Sequence, residues 1–235
     1  MLSGVTYFSG GFTMNMTKQT SKLTLMAMLC ALAFVAVVAI RIPLIPMLPF
    51  LEYEPKDVII LTGGFLFGPM SAAMISVIVS FVEMFTISST GIIGLIMNVL
   101  STVAFVCPAA YLYKKQHSLF GAFLGMVAGT LLMTLVMVLW NYLITPIYMG
   151  YPREAVVKLL LPAFVPFNLL KGGINTALTL LIYKPLVTTL RKSNLMIPAS
   201  TDEPKRRAFN LGMTLAAGII LVTCILAVLV MKGII

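Results

Sequence analysis

The chain has 235 residues, 60% of them hydrophobic and only 10% charged, with a mean hydropathy of +1.06. Soluble domains carry roughly 25% charged residues, so this composition excludes an ordinary soluble domain and indicates an all-α integral membrane protein. Sixteen Lys and Arg against seven Asp and Glu give a net charge of +9; with no aromatic-interleaved basic patch, that excess reads as an orientation signal and not as nucleic-acid binding.

Residues 1–16 read as a polar, Gly-containing tail, with Met14 or Met16 as alternative starts, and residues 1–22 as a cytoplasmic N-terminal segment. The first apolar run, Leu23 to Ile40, follows Lys18 and Lys22 and ends at Arg41 and Pro43. No clean small-residue cleavage site follows it, so it is expected to be an uncleaved first helix. The next stretch, PLIPMLPFLEYEPKD, holds four prolines and three of the seven acids. Proline at this density forbids a regular helix and predicts an ordered or re-entrant surface loop, with Asp57 placed to cap the helix that follows.

From Val58 to Phe85 the chain is apolar for 28 residues, about 42 Å as one helix, which is too long for a span without strong tilt. Gly68-Pro69 inside it predicts two helices turning near Phe67–Met70, the first of them short. Further spans are expected over Gly91–Tyr113, Phe120–Leu143 and Pro162–Tyr183, with an outer segment ITPIYMGYPREAVVK before the last of these. A polar cytoplasmic linker over 191–208 then leads to an apolar helix, Leu211–Met231, within a C-terminal segment 209–235. The plan is a six-helix membrane domain over 23–190 plus a seventh C-terminal transmembrane helix. With the N-terminus cytoplasmic, ten basic residues fall inside (Lys18, Lys22, Lys114, Lys115, Lys184, Arg191, Lys192, Lys205, Arg206, Arg207) and five outside (Arg41, Lys56, Arg153, Lys158, Lys232). That bias supports the orientation, although a six-span model with the N-terminus outside scores about as well.

Lys171 is the thirteenth of the 25 residues between Lys158 and Lys184, at the centre of a span. A charge there costs about 2.5–3.5 kcal/mol on insertion scales and demands a reason. Asn168, Lys171 and Asn175 share one helical face, as do Asn98, Ser101 and Thr102 in the fourth helix and Ser76, Ser80 and Glu83 in the third. Trp140, Asn141 and Thr145 close the fifth. Three readings are open: a structural Lys171–Glu83 ion pair with interhelical amide bonds, a polar pocket for a small ligand, or a conduction or proton path.

Catalytic signatures are missing. No G-x-x-x-x-G-K-[ST] loop or H-E-x-x-H motif occurs, and no base is placed beside Ser88, Ser89 or Thr90 to make a nucleophile. Cys30, Cys107 and Cys224 lie in apolar runs and read as small fillers, and His117 as a solvated loop residue. The expectation is a protein that is not an enzyme, with no cofactor and no metal site.

TLMAMLCALAFV, PFLEYEPKDVIILTGGFLFGPMSA, GIIGLIMNVLST and PFNLLKGGINTAL, spread over residues 20–190, resemble the substrate-binding S components of energy-coupling factor (ECF) vitamin transporters, most of all the riboflavin-specific subfamily. The resemblance implies a six-helix fold whose vitamin pocket lies in the outer half of the membrane under the loop between helices one and two. It implies riboflavin as the transported ligand, with flavin mononucleotide or another vitamin as the alternative. Leu51, Glu52 and Tyr53 would belong to the roof, and Asn98, Asn141 and Lys171 to the polar pocket; Glu83, Asn168 and Asn175 join these candidates from the polar faces above. Trp140 or Tyr53 would be available to stack on the ring, though each also reads as an interfacial anchor. Ala27 and Ala31 match the A-x-x-x-A spacing with which the family's first helix meets a membrane coupling subunit. That subunit and two cytoplasmic ATPases are the implied partners, supplying the nucleotide sites this chain lacks. The seventh span departs from the family plan.

Overall fold

In a computed structural model the backbone is described for residues 10–45, 48, 51–88, 90–116, 118–192 and 211–234. His117 and nearly all of the expected linker lie outside these residues. The first helix, α1, spans Gly10–Ala39, so the apolar run continues back as helix into residues expected to form a tail. A two-stranded hairpin follows, β1 (Ile42–Pro43) pairing antiparallel with β2 (Glu52–Tyr53). The proline-rich segment is thus a loop tied at its base, as proline's missing donor and fixed φ require.

The long apolar run is split as expected. Helix α2 covers Lys56–Phe67 and α3 covers Pro69–Thr86. Gly68 between them has φ +93°, a conformation that penalises any side chain, and Pro69 supplies a preset first turn for α3. The turn lies at the end of the bundle that carries Lys22, whose ammonium is 5.9 Å from the Phe67 ring centre, and Lys114, whose side chain would be 4.0 Å from a Cβ on Gly68. Helix α2 is about 18 Å long at roughly 1.5 Å per residue, yet it still carries the chain from the hairpin end to the opposite end.

Helix α4 spans Gly91–Gln116 and α5 spans Leu119–Met149. α5 runs six residues past the expected end at Leu143, through Pro146, and stops where Gly150 takes a left-handed conformation. Helix α6 (Arg153–Leu159), a π-helical turn (Leu160–Phe164) and α7 (Val165–Lys192) then form one continuous helical path. Helix α8 covers Leu211–Met231 as expected. Among the described residues six helical segments are long and apolar enough to cross a membrane, α2 being too short to count among them.

The helices are inverted relative to those of a soluble protein. In α3, Ser76, Ser80 and Glu83 are buried while Met74, Val77, Phe81 and Phe85 are exposed, as expected when lipid is the outer solvent. Small residues set the helix spacing. Gly125 and Gly129, one turn apart on α5, face Ala109 and Phe105 of α4 so closely that a Cβ on Gly129 would sit 2.2 Å from the Phe105 carbonyl oxygen, the membrane packing device of closely approaching backbones.

Candidate functional site

The polar faces of α3, α4, α5 and α7 converge below the hairpin on a cavity of about 240 Å³. Its roof is Leu51 and Glu52 of the hairpin with Arg41 and Glu54 beside them; Glu83, Asn98, Asn141, Asn168 and Lys171 line it from the helices. Met97, Met137 and Phe167 form apolar wall. Seven of the nine residues expected from the sequence to bind substrate therefore meet in one place, drawn from segments more than 100 positions apart.

Tyr53 and Asn175 do not line the cavity. Both are buried behind it, the Tyr53 hydroxyl donating to Asn175 Oδ1 at 2.9 Å. Burial and then the nearby Asp57 charge push the Tyr53 phenol above its usual range, so it remains a donor at neutral pH. Trp140 packs against the main apolar core and is likewise no part of the cavity lining; among the described residues Phe167 is the aromatic ring that lines it.

The expected pairing of Lys171 with Glu83 does not occur. Lys171 Nζ lies 3.3 Å from Asp57 Oδ2, and Glu83 Oε2 lies 2.6 Å from Lys56 Nζ. Nor does Asp57 cap α2: the N-cap is Pro55, no side chain caps that end, and Asp57 sits in the first turn with its carboxylate fully buried. Its Oδ1 accepts from the Thr102 hydroxyl at 2.7 Å and its Oδ2 from the Asn175 amide at 3.1 Å. The physical reason is packing. The first turn of α2 is enclosed by α4 and α7, and a buried carboxylate needs several donors more than the helix end needs a cap.

Lys56, placed by sequence among the outer surface charges, is also fully buried. It bridges Glu54 at 2.8 Å and Glu83 at 2.6 Å, and Arg41 extends the network to Glu52 (3.8 Å) and Glu54 (3.6 Å). Asn98 donates to the same Glu83 oxygen at 3.2 Å, while Glu83 Oε1 has no hydrogen-bond partner among the described residues. Lys56 and Asp57 lie in the PFLEYEPKD passage that carries the family resemblance, but neither was expected in the polar network. The available signal was an adjacent pair of opposite charges at the mouth of an apolar run.

Three successive residues of α7 face three different neighbours. Lys171 lines the cavity, a Cβ on Gly172 would meet the Thr130 side chain of α5 at 2.4 Å, and one on Gly173 would meet Cys224 Sγ of α8 at 2.8 Å. The glycines beside the lysine thus make room for helices. Helix α8 adds Leu221, Cys224, Ala227, Val228 and Met231 to an apolar cluster that includes Leu44, Ile45, Leu48 and Leu51 of the hairpin loop and Phe164, Phe167 and Ile174 of the α7 path.

A family model described as the substrate-specific component of ECF transporters matches residues 21–183. The chain belongs to this family. The S component is 37% identical over 107 residues to the riboflavin transporter RibU of Streptococcus thermophilus, covering 43% of this chain and 51% of that protein. It thus spans about half the length of that relative. It is 26% identical over 157 residues to the riboflavin transporter FmnP of Bacillus subtilis, covering 62% of this chain and 83% of that protein. A solved S component of a bacterial ECF transporter superposes with a TM-score of 0.61 at 26% identity, covering 74% of this chain and 99% of the other. The family match ends at residue 183, so α8 lies beyond it.

Proposed function

We propose that this S component captures riboflavin in the cavity beneath the hairpin and delivers it across the membrane with a membrane coupling subunit and two cytoplasmic ATPases. The observation that carries the ligand reading is the pairing of Lys171, Asn141 and Asn168 with the apolar surfaces of Phe167, Met97 and Met137 in one cavity. An isoalloxazine ring has the matching chemistry: carbonyl and ring-nitrogen acceptors along one edge for ammonium and amide donors, and flat apolar faces for the rest. The ribityl hydroxyls are donors for Glu83 Oε1, which is buried and has no hydrogen-bond partner among the described residues. Two riboflavin transporters among the similar proteins point the same way.

Charge separates riboflavin from its phosphate. The site holds Arg41, Lys56 and Lys171 against Glu52, Glu54, Asp57 and Glu83, three cations to four anions, and each cation is already engaged by a carboxylate. A phosphate of about −2 charge meets no cation without a carboxylate partner among the described residues there, so flavin mononucleotide is expected to bind at least about tenfold more weakly than riboflavin. The cavity of about 240 Å³ is below the roughly 300–1,000 Å³ of most ligand sites, which calls for the hairpin to lift as the ligand enters.

Ala27 and Ala31 are exposed on α1, as a face for the coupling subunit requires, since small residues one turn apart admit a second helix closely. With the N-terminus cytoplasmic, Lys22, Lys114 and the Gly68 turn face the cytoplasm and the cavity opens outward. Purified protein is expected to be yellow or to quench added riboflavin fluorescence at one-to-one stoichiometry. Colourless protein that leaves riboflavin emission unchanged refutes the ligand assignment.

A further inference from the structure

Asp57 is fully buried and does not line the cavity, yet it pairs with Lys171, which does. Its two oxygens are held from two other helices, by Thr102 of α4 and Asn175 of α7, and the second oxygen also faces the Lys171 ammonium. Asn175 in turn accepts from Tyr53 of the hairpin. The chain of contacts Lys171–Asp57–Asn175–Tyr53 therefore runs from the cavity wall to the roof without passing through the cavity.

We infer that Asp57 is the positioning residue of the site: it fixes the Lys171 ammonium toward the cavity and, through Asn175 and Tyr53, ties that geometry to the hairpin. The inference rests on the ligand reading above. A lysine has a flexible four-carbon stem and three rotatable donors. The ion pair with an immobile carboxylate holds the ammonium at 3.3 Å, beside the cavity that Lys171 lines. Asp57 has no freedom to follow the lysine, because both of its oxygens are committed to donors on other helices. Its negative charge also offsets the cost of keeping a cation within the span. A carboxylate that merely balanced charge would need neither the two additional donors nor the link to the roof.

The test compares Asp57→Asn with the parent protein in detergent, by riboflavin quenching and by melting temperature. Asp57→Asn is expected to weaken riboflavin binding about 10- to 100-fold, yet to add no further loss in a Lys171→Met background, because its effect passes through the lysine. Tyr53→Phe keeps every carbon of the roof contact and is expected to weaken binding a few-fold. If Asp57→Asn lowers the melting temperature while the folded fraction binds as the parent does, or if Tyr53→Phe binds as the parent does, the positioning role is refuted. Cyanate labelling of ligand-free protein, read by mass spectrometry, separates this from the ligand reading. Asp57→Asn should speed carbamylation of Lys171 several-fold, and an unchanged rate overturns the inference whatever ligand the protein takes. A parent protein that fails to quench riboflavin overturns the ligand assignment, while the labelling result continues to decide the role of Asp57.

Discussion

The two ends of the bundle are built on opposite principles from the same helices. Toward the Gly68 turn, α2, α3 and α4 meet through small side chains: a Cβ on Gly64 would lie 3.0 Å from the Ala110 Cβ and 3.1 Å from that of Ala72. Toward the hairpin the same helices meet through polar side chains: Lys56 and Asn98 both reach Glu83 Oε2, and Asp57 reaches Thr102 of α4 and Lys171 and Asn175 of α7. Close packing needs little from each contact and tolerates little change in volume. A polar network leaves room for a ligand but depends on every partner. The tight end can thus act as the fixed frame from which the open end is hung.

The largest expected effect comes from breaking the network. Lys56→Met leaves Glu83 buried without its cation and should destabilise the protein by about 3–5 kcal/mol. Glu83→Gln added to Lys56→Met should recover part of that loss, and thermal melts of the single and double variants in one detergent check it. On the packed side, Gly129→Ala forces α4 and α5 apart at the Phe105 carbonyl and should cost about 1–3 kcal/mol. A melting temperature equal to the parent's would show that the helices can separate freely there.

Gly172→Ala lies where the two principles meet. Its clash is with the Thr130 side chain and not with backbone, so Thr130→Ala should restore most of the stability lost, together with riboflavin affinity. If the second substitution restores neither, the contact between α5 and α7 is not what places Lys171. The smallest effect on the isolated protein should come from Ala27→Leu. That change on an exposed face should leave melting and riboflavin quenching unaltered while preventing co-purification with the coupling subunit. Undiminished assembly would move the docking surface elsewhere.

The apolar–polar pattern revealed most of the architecture because lipid reverses the usual rule: a serine or asparagine in a span has to face inward, so Ser76, Asn98 and Asn168 each identified a buried face. Gly68-Pro69 was equally legible, since few other sequences can make that turn. Pairing was not. Lys171, at mid-span, and Glu83, near the outer end of its helix, are the charges inside the expected spans and looked like partners, but charge alone carries no information about rotation or depth. Each found its counter-ion in the adjacent Lys56-Asp57 pair. An acid ahead of an apolar run is also the ordinary sign of a helix cap, and only the enclosing helices distinguish that role from the buried one Asp57 has. Tyr53 was expected in the roof and is in the hairpin, but its hydroxyl points behind the cavity to Asn175, a direction that an alternating strand pattern of two residues is too short to specify.

The facing of Lys171, Gly172 and Gly173 on three separate neighbours makes α7 sensitive to its helical register. Each residue advances an α-helix by about 100°, so one residue inserted between Val165 and Leu170 would send the ammonium toward Thr130 and turn Leu170 into the cavity wall. Length changes in this helix therefore have to be absorbed upstream, and the π-helical turn at Leu160–Phe164 is where they can be, since such a turn accommodates one extra residue without breaking the helical path. Drift in the segment connecting α5 to α7 can then be taken up as slack in that turn, with the three facings of the helix left in phase.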